Sequence, residues 1–201
     1  MITGLLLAAG RSRRYGSPKL VESMDGVAPA VRSAHALRAA VDRAGAIIRP
    51  DDLALASQLR GAGFEIICCP DAHGGQGASL AFGVRMTGGS TGWLVASADM
   101  PYIKPETAQA VAAQLRLGAI IVAPYFHGRR GHPVGFARAL GPQLGAITGD
   151  TGALALIKAH RHLVVKIPCS DSGILGDIDA PEDLLHVTAN RDSRFADGAR
   201  H

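Results

Sequence analysis

Short apolar runs alternating with helix-patterned stretches predict an α/β chain: a single three-layer αβα domain on a mostly parallel mixed sheet. Three observations carry that expectation. The chain opens on a continuous apolar run, residues 2–8, closed by Gly10, which suits a central strand buried on both faces. Similar short runs recur along the chain, separated by segments with helical start and stop signals. With 201 residues, 47% of them hydrophobic, the chain can bury one substantial core, and its 25 glycines supply tight turns.

The elements follow in order. After the first strand, a polar loop runs through Pro18, and a helix is expected over 29–44 with Pro29 in its first turn. Residues 46–48 read as a strand. Asp51 is placed to cap a helix carrying Leu53, Leu55 and Leu59, which stops before Gly61 and Gly63. Residues 64–68 form the third expected strand, and the glycine-rich 74–77 leads into a helix starting near Ser79. Residues 93–96 form the fourth strand, ending at Asp99-Met100-Pro101, followed by a helix over 106–115 and a strand over 120–123. Residues 128–131 read as a turn before an extended 132–136. A helix over 151–160, a strand over 163–167 and a short helix after Pro181 complete a domain spanning 1–189. Residues 190–201 are polar and aperiodic, the pattern of a disordered tail.

Composition excludes several classes. A net charge of +4 lacks the basic stripe of a nucleic-acid binder, and aromatic residues at 4% offer few stacking platforms. No apolar run reaches the length of a membrane span, and no basic segment precedes the first strand as in a signal peptide. Cys68, Cys69 and Cys169 form neither a C-x-x-C nor an even disulfide framework, so a reducing, cytoplasmic setting is expected. There is no P-loop; Gly75-Gln76-Gly77 reaches Leu80 where a dinucleotide fingerprint needs a third Gly or Ala. Gly77-Ala78-Ser79-Leu80-Ala81 misses a nucleophile elbow at Ala81.

Chemistry concentrates after the first strand. Ala8, Ala9 and Gly10 are small enough for close backbone approach, and Arg11, Arg13, Arg14 and Lys19 follow with no acid among them. Converging cations and backbone N–H groups suit a polyphosphate, although a solvated basic loop has the same composition. In an open α/β sheet this loop and Asp99, at the end of the fourth strand, both fall at the carboxyl edge where ligands bind. Asp177 and Asp179 stand two apart, on one face of an extended segment, and Asp179 can be a helix N-cap before Pro181. Gly128-Arg129-Arg130-Gly131-His132 is a second cationic turn, readable as a phosphate clamp or as a solvated hairpin tip.

The stretch from Ala8 to Leu20 resembles the L-x-A-G-x-S-x-R-M-G-x-x-K-L signature of GT-A-like (MobA-like) nucleotidyltransferases. More closely, residues 2–185 are similar to the molybdenum cofactor cytidylyltransferase branch. The similarity runs through Cys69-Pro70-Asp71, Gly77-Ala78-Ser79-Leu80, Ala98-Asp99-Met100-Pro101, the 128–134 segment, Thr148-Gly149-Asp150-Thr151-Gly152-Ala153 and Asp177-Ile178-Asp179-Ala180-Pro181-Glu182-Asp183-Leu184. The resemblance implies a GT-A/Rossmann-like fold, an NTP held by Ala8, Ala9, Gly10, Arg11, Ser12, Arg14 and Lys19, and Asp71 and Ser79 near base or ribose. It further implies Mg²⁺ on Asp99, Asp177 and Asp179, catalytic roles for Lys19, Arg14 and Asp99, and acceptor contacts from Arg129, Arg130 and His132. Tyr15 stands where the family usually has Met, and Leu154 where Arg is frequent.

The implied reaction is transfer of CMP from CTP to the terminal phosphate of molybdenum-molybdopterin cofactor, with release of pyrophosphate. Ala9 favours CTP, because the guanylyl-transferring relatives tend to carry a second Gly there. GMP transfer from GTP, transfer to another phosphorylated acceptor, and a non-catalytic carrier of pterin or nucleotide are the alternatives. The implied partners are an NTP, a phosphorylated pterin, and a molybdoenzyme or its maturation chaperone.

Overall fold

The computed structural model describes residues 1–10, 20–21, 23 and 26–178. It is a three-layer αβα domain, as the sequence predicts. The order is β1 (Ile2–Leu7), α1 (Pro29–Arg38), β2 (Arg43–Ile48), α2 (Leu53–Gly61), β3 (Glu65–Cys68), α3 (Gly75–Met86), β4 (Gly92–Ser97) and α4 (Pro105–Arg116). Then come β5 (Ile121–Phe126), β6 (Arg129–Arg130), β7 (Val134–Ala137), α5 (Gly141–Gly145), α6 (Leu154–Ala159) and β8 (Val164–Pro168).

The strands form one sheet in the order β3-β2-β1-β4-β7-β5-β6, with β8 paired to β5. β3, β2, β1 and β4 are mutually parallel, as are β5 and β8; β7 runs antiparallel to both β4 and β5. β1 alternates cleanly between the two faces. Ile2, Leu6 and Ala8 join α1, α2 and α4 on one side; Leu5, Leu7 and Ala9 join α3, α5 and α6 on the other. That double burial is why the strand reads as an unbroken apolar run. Gly4 keeps α1 close, since a Cβ there would lie 3.0 Å from Val41 Cγ2 and 3.1 Å from Leu37 Cγ.

Several element bounds differ from expectation. The helix expected over 29–44 ends at Arg38, and β2 starts earlier, at Arg43. Pairing with β1 overrides the helical preference of the alanines: Thr3 and Arg43 are register partners, and the Ile2 N–H donates to the Asp42 carboxylate at 2.7 Å. Asp52, not Asp51, occupies the N-cap of α2, and neither caps through its side chain; both lie by Arg49, at 3.6 and 3.7 Å. α3 begins at Gly75, four residues before the expected start. The expected turn at 128–131 lies one position earlier. His127 (φ 47°) and Gly128 (φ 77°) make the positive-φ pair of a two-residue hairpin, so Arg129 and Arg130 are strand residues opposite Phe126 and Tyr125. The expected helix after Pro181 and the expected tail lie outside the described residues.

Candidate functional site

The connections leaving β1 and β3 reverse direction across the sheet. β1 leads outward to β2 and β3, and the chain then returns to place β4 on the other side of β1. A crevice opens at such a reversal, outside the carboxyl ends of the two strands. β1 delivers Ala8, Ala9 and Gly10 to it, and β4 delivers Asp99. Leu7 and Ser97 are register partners, and the Ala98 N–H donates to the Leu7 carbonyl at 3.0 Å, so Asp99 emerges beside the start of the loop.

The small residues of the loop have distinct uses. The Ala8 N–H donates to the Ile47 carbonyl at 2.9 Å, so it extends the ladder and is not open to a ligand, contrary to the expectation for this residue. The N–H groups of Ala9 and Gly10 have no partner among the described residues, and a Cβ on Gly10 would meet nothing within 4 Å. Arg11, Ser12, Arg14 and Lys19 lie outside the described residues.

Asp99 is partly exposed, and the Ser97 hydroxyl donates to its Oδ1 at 2.5 Å, which fixes the carboxylate's orientation. Its carbonyl accepts the Ile178 N–H at 2.9 Å, which brings the exposed Asp177 to the same edge of the sheet from 78 residues away in sequence. Asp179 lies outside the described residues. Among the described residues no group of three or more His, Cys, Asp and Glu side chains could hold a metal ion. Two carboxylates at one edge of the sheet are the kind of donors a hard divalent cation takes.

Asp71 sits exposed at the carboxyl end of β3, its carbonyl accepting the Gly74 N–H at 2.9 Å. Ser79 lies in the second turn of α3, buried, with its hydroxyl donating to the Gly75 carbonyl at 3.3 Å. The start of α3 is instead covered by the segment carrying Gly149 and Asp150. The Gly77 N–H donates to the Gly149 carbonyl at 2.7 Å, and Gly75 (φ 92°) lies against Asp150, where a Cβ would fall 2.1 Å from its Oδ1.

Because β7 is antiparallel, its beginning lies at the same edge as the ends of β1 and β4, and His132 sits there. Its ring Nδ1 is buried without a hydrogen-bond partner among the described residues. Burial chiefly, and the Arg130 guanidinium second, push its pKa down to about 4, against opposing pulls from the Val95 backbone and Asp99. The ring is therefore neutral near pH 7. Arg130 and Asp99, distant in sequence, both act on this imidazole, so the second cationic segment and the carboxylate after β4 share one neighbourhood. Arg129, in the adjacent strand position, is exposed.

Two contributors were not given a role by sequence reasoning. One is the 148–152 segment over α3, which entered only as a motif of the resemblance. The other is Asp171, whose two partners on α4, the Lys104 N–H and the Thr107 hydroxyl, are more than sixty residues away and leave no local signal.

Comparison with known proteins agrees with this geometry. Residues 4–164 match the family described as the MobA-like NTP transferase domain. The chain is 30% identical over 195 residues to the purine catabolism protein PucB of Bacillus subtilis, covering 90% of this chain and 93% of that one. Its fold is similar to that of a nucleotidyl transferase from Methanothermobacter thermautotrophicus, at TM-score 0.81 and 20% identity over 96% of this chain and 99% of the other. It is also similar to molybdopterin-guanine dinucleotide biosynthesis protein A from Archaeoglobus fulgidus, at TM-score 0.67 and 19% identity over 95% and 99%. Among the described residues, no helix is long and apolar enough to cross a membrane.

Proposed function

This chain belongs to the MobA-like NTP transferase family and is an NTP-dependent nucleotidyltransferase; from that premise we propose that it transfers CMP from CTP to the terminal phosphate of molybdenum-molybdopterin cofactor. The observation that carries the proposal is the Ala98–Leu7 hydrogen bond at 3.0 Å, which sets Asp99 beside the loop after β1. The N–H groups of Ala9 and Gly10, with Arg11, Ser12, Arg14 and Lys19, hold the triphosphate. Asp71 and Ser79 lie toward base and ribose; Ser79 does so through its backbone and packing, its hydroxyl being engaged. Asp99, Asp177 and Asp179 hold Mg²⁺, which when bound supplies positive charge against the phosphates. Arg129, Arg130 and His132 face the acceptor.

The chemistry needs little beyond placement and charge. A phosphate monoester, with its second pKa near ~6, is largely ionised at neutral pH and requires no general base. A neutral, enclosed His132 fits that requirement, since it is neither a charged acid nor an exposed base at this pH. An oxygen of the acceptor phosphate attacks the α-phosphorus in line; the new O–P bond forms as the bond to pyrophosphate breaks. Arg14 and Lys19 stabilise the charge that accumulates on the transferring group and on the departing pyrophosphate. The second cationic segment favours a bulky phosphorylated acceptor, and the pterin function named for the A. fulgidus protein is consistent with it.

Pyrophosphate release measured with each NTP and the molybdenum cofactor tests this reading. Release with CTP alone is the expected result. Release with GTP would move the assignment to guanylyl transfer, and release only with a different phosphate acceptor would move the substrate. Nucleotide binding with no release under any pairing would make the protein a carrier.

A further inference from the structure

The segment that follows β8 passes over the carboxyl edge of the sheet and reaches Asp99 at Ile178. Near its start, Asp171 is almost fully buried, at 3% exposure. Its Oδ2 accepts the Lys104 N–H at 2.9 Å and the Thr107 hydroxyl at 2.7 Å, while its Oδ1 accepts the Gly173 N–H at 3.0 Å. α4 has no capping side chain of its own at Lys104. The Asp171 carboxylate takes that place from 67 residues away, with its charge at the positive end of a 12-residue helix. Burying a carboxylate is costly unless donors replace water, and here three do.

Beyond this clasp the segment has little freedom. A Cβ on Gly173 would lie 2.0 Å from the Tyr102 carbonyl oxygen, so the backbones are in direct contact. The Ile174 carbonyl accepts the His132 N–H at 3.1 Å, and a Cβ on Gly131 would lie 2.5 Å from that same carbonyl. Four residues later, the Ile178 N–H reaches the Asp99 carbonyl at 2.9 Å. One buried carboxylate thus ties to α4 a strap that touches the acceptor side at His132 and the cation side at Asp99.

We propose that Asp171 is a positioning residue: by clasping the 171–178 strap to the start of α4, it fixes where Asp177 stands beside Asp99. The inference rests on the reading of Asp99 and Asp177 as cation ligands given above. Hydrogen-bonded groups that orient ligands from behind commonly change metal affinity by ~10–100-fold when altered.

The test is binding of Mn²⁺ to the full chain in the presence of CTP, read from loss of the free-ion paramagnetic resonance signal, with CTP binding in chelator measured separately. Four variants are compared: Asp171→Asn, Thr107→Val, Asp177→Asn and Val111→Ala. The last truncates the core face of the same helix without touching the strap. Asp171→Asn is expected to weaken Mn²⁺ binding about tenfold and Thr107→Val about threefold, while CTP binding in chelator stays within about twofold. Val111→Ala leaves both unchanged, which separates positioning from lost stability. A folded Asp171→Asn with wild-type Mn²⁺ affinity overturns the proposal; if that variant does not fold, wild-type affinity in Thr107→Val overturns it. If Asp177→Asn itself leaves Mn²⁺ affinity unchanged, the ligand reading of Asp177 falls and takes this inference with it. If only the clasp variants are silent, the clasp alone is refuted.

Discussion

His132 makes the stability of the ion-free protein depend on pH in a way that can be worked out from its surroundings. The ring's pKa falls from 6.5 to about 4, first because it is closed off from water and second because Arg130 faces it. The unfolded chain therefore binds a proton below pH 6.5 that the folded chain refuses until about 4. The stabilisation is present above 6.5 and is lost as pH falls toward 4. With those two values, linkage gives a loss of about 1.3 kcal/mol between pH 7.5 and 5.5, growing to about 2.5 kcal/mol by pH 4.5. Urea unfolding in chelator, with the wild type and His132→Gln compared at each pH, isolates this contribution because the carboxylates are common to both. The wild-type curve should fall below its pH 7.5 value by these amounts more than the variant's does. Parallel curves across the window would refute the claim that the imidazole is enclosed and neutral.

Three further outcomes are expected. Asp99→Asn should lower kcat by about 10³-fold with an unchanged melting temperature, because it removes charge but not the Ala98 and Ile178 backbone bonds; near-wild-type turnover in magnesium would count against it. Thr87→Val leaves the buried Trp93 indole N–H, now bonded at 2.9 Å, without an acceptor. It should cost about 1–3 kcal/mol in urea unfolding while leaving kcat alone, since this network lies at the amino edge of the sheet. Gly75→Ala forces a Cβ toward Asp150 at a φ of 92°, and should cost about 2 kcal/mol or more and speed proteolysis at 147–152.

The sequence was most informative where a residue's neighbours in the chain decide its environment. β1 and β4 are buried on both faces, so their apolar runs stand out, and the residues just past them had to fall at the ligand edge. That logic placed Asp99 beside the loop correctly. It failed for Arg129 and Arg130, because the hairpin turns at His127, a residue that adopts positive φ without advertising it. Ser79 read as a residue at a helix start, yet α3 begins four residues earlier and leaves its hydroxyl facing back along the helix. Ala8 looked like part of a phosphate-binding backbone, but its N–H belongs to the ladder with β2, which only the neighbouring strand reveals. Asp171 was invisible for the opposite reason. Within ten residues only the Gly173 N–H uses its carboxylate; the other two donors stand at the start of α4, threaded much earlier.

The late insertion of β7 also governs how the chain comes together. β4 is complete at Ser97, but its outer partner arrives only with residues 134–137, and β5 acquires β8 only at Val164–Pro168. A chain emerging from the ribosome can therefore assemble the β3-β2-β1-β4 half early, yet it carries an unpaired apolar margin through some forty more residues of synthesis. Stalling within that interval, or truncation before residue 134, should yield a sticky half-sheet that recruits other chains, so the full-length polypeptide is the form to express even when only the nucleotide half is of interest.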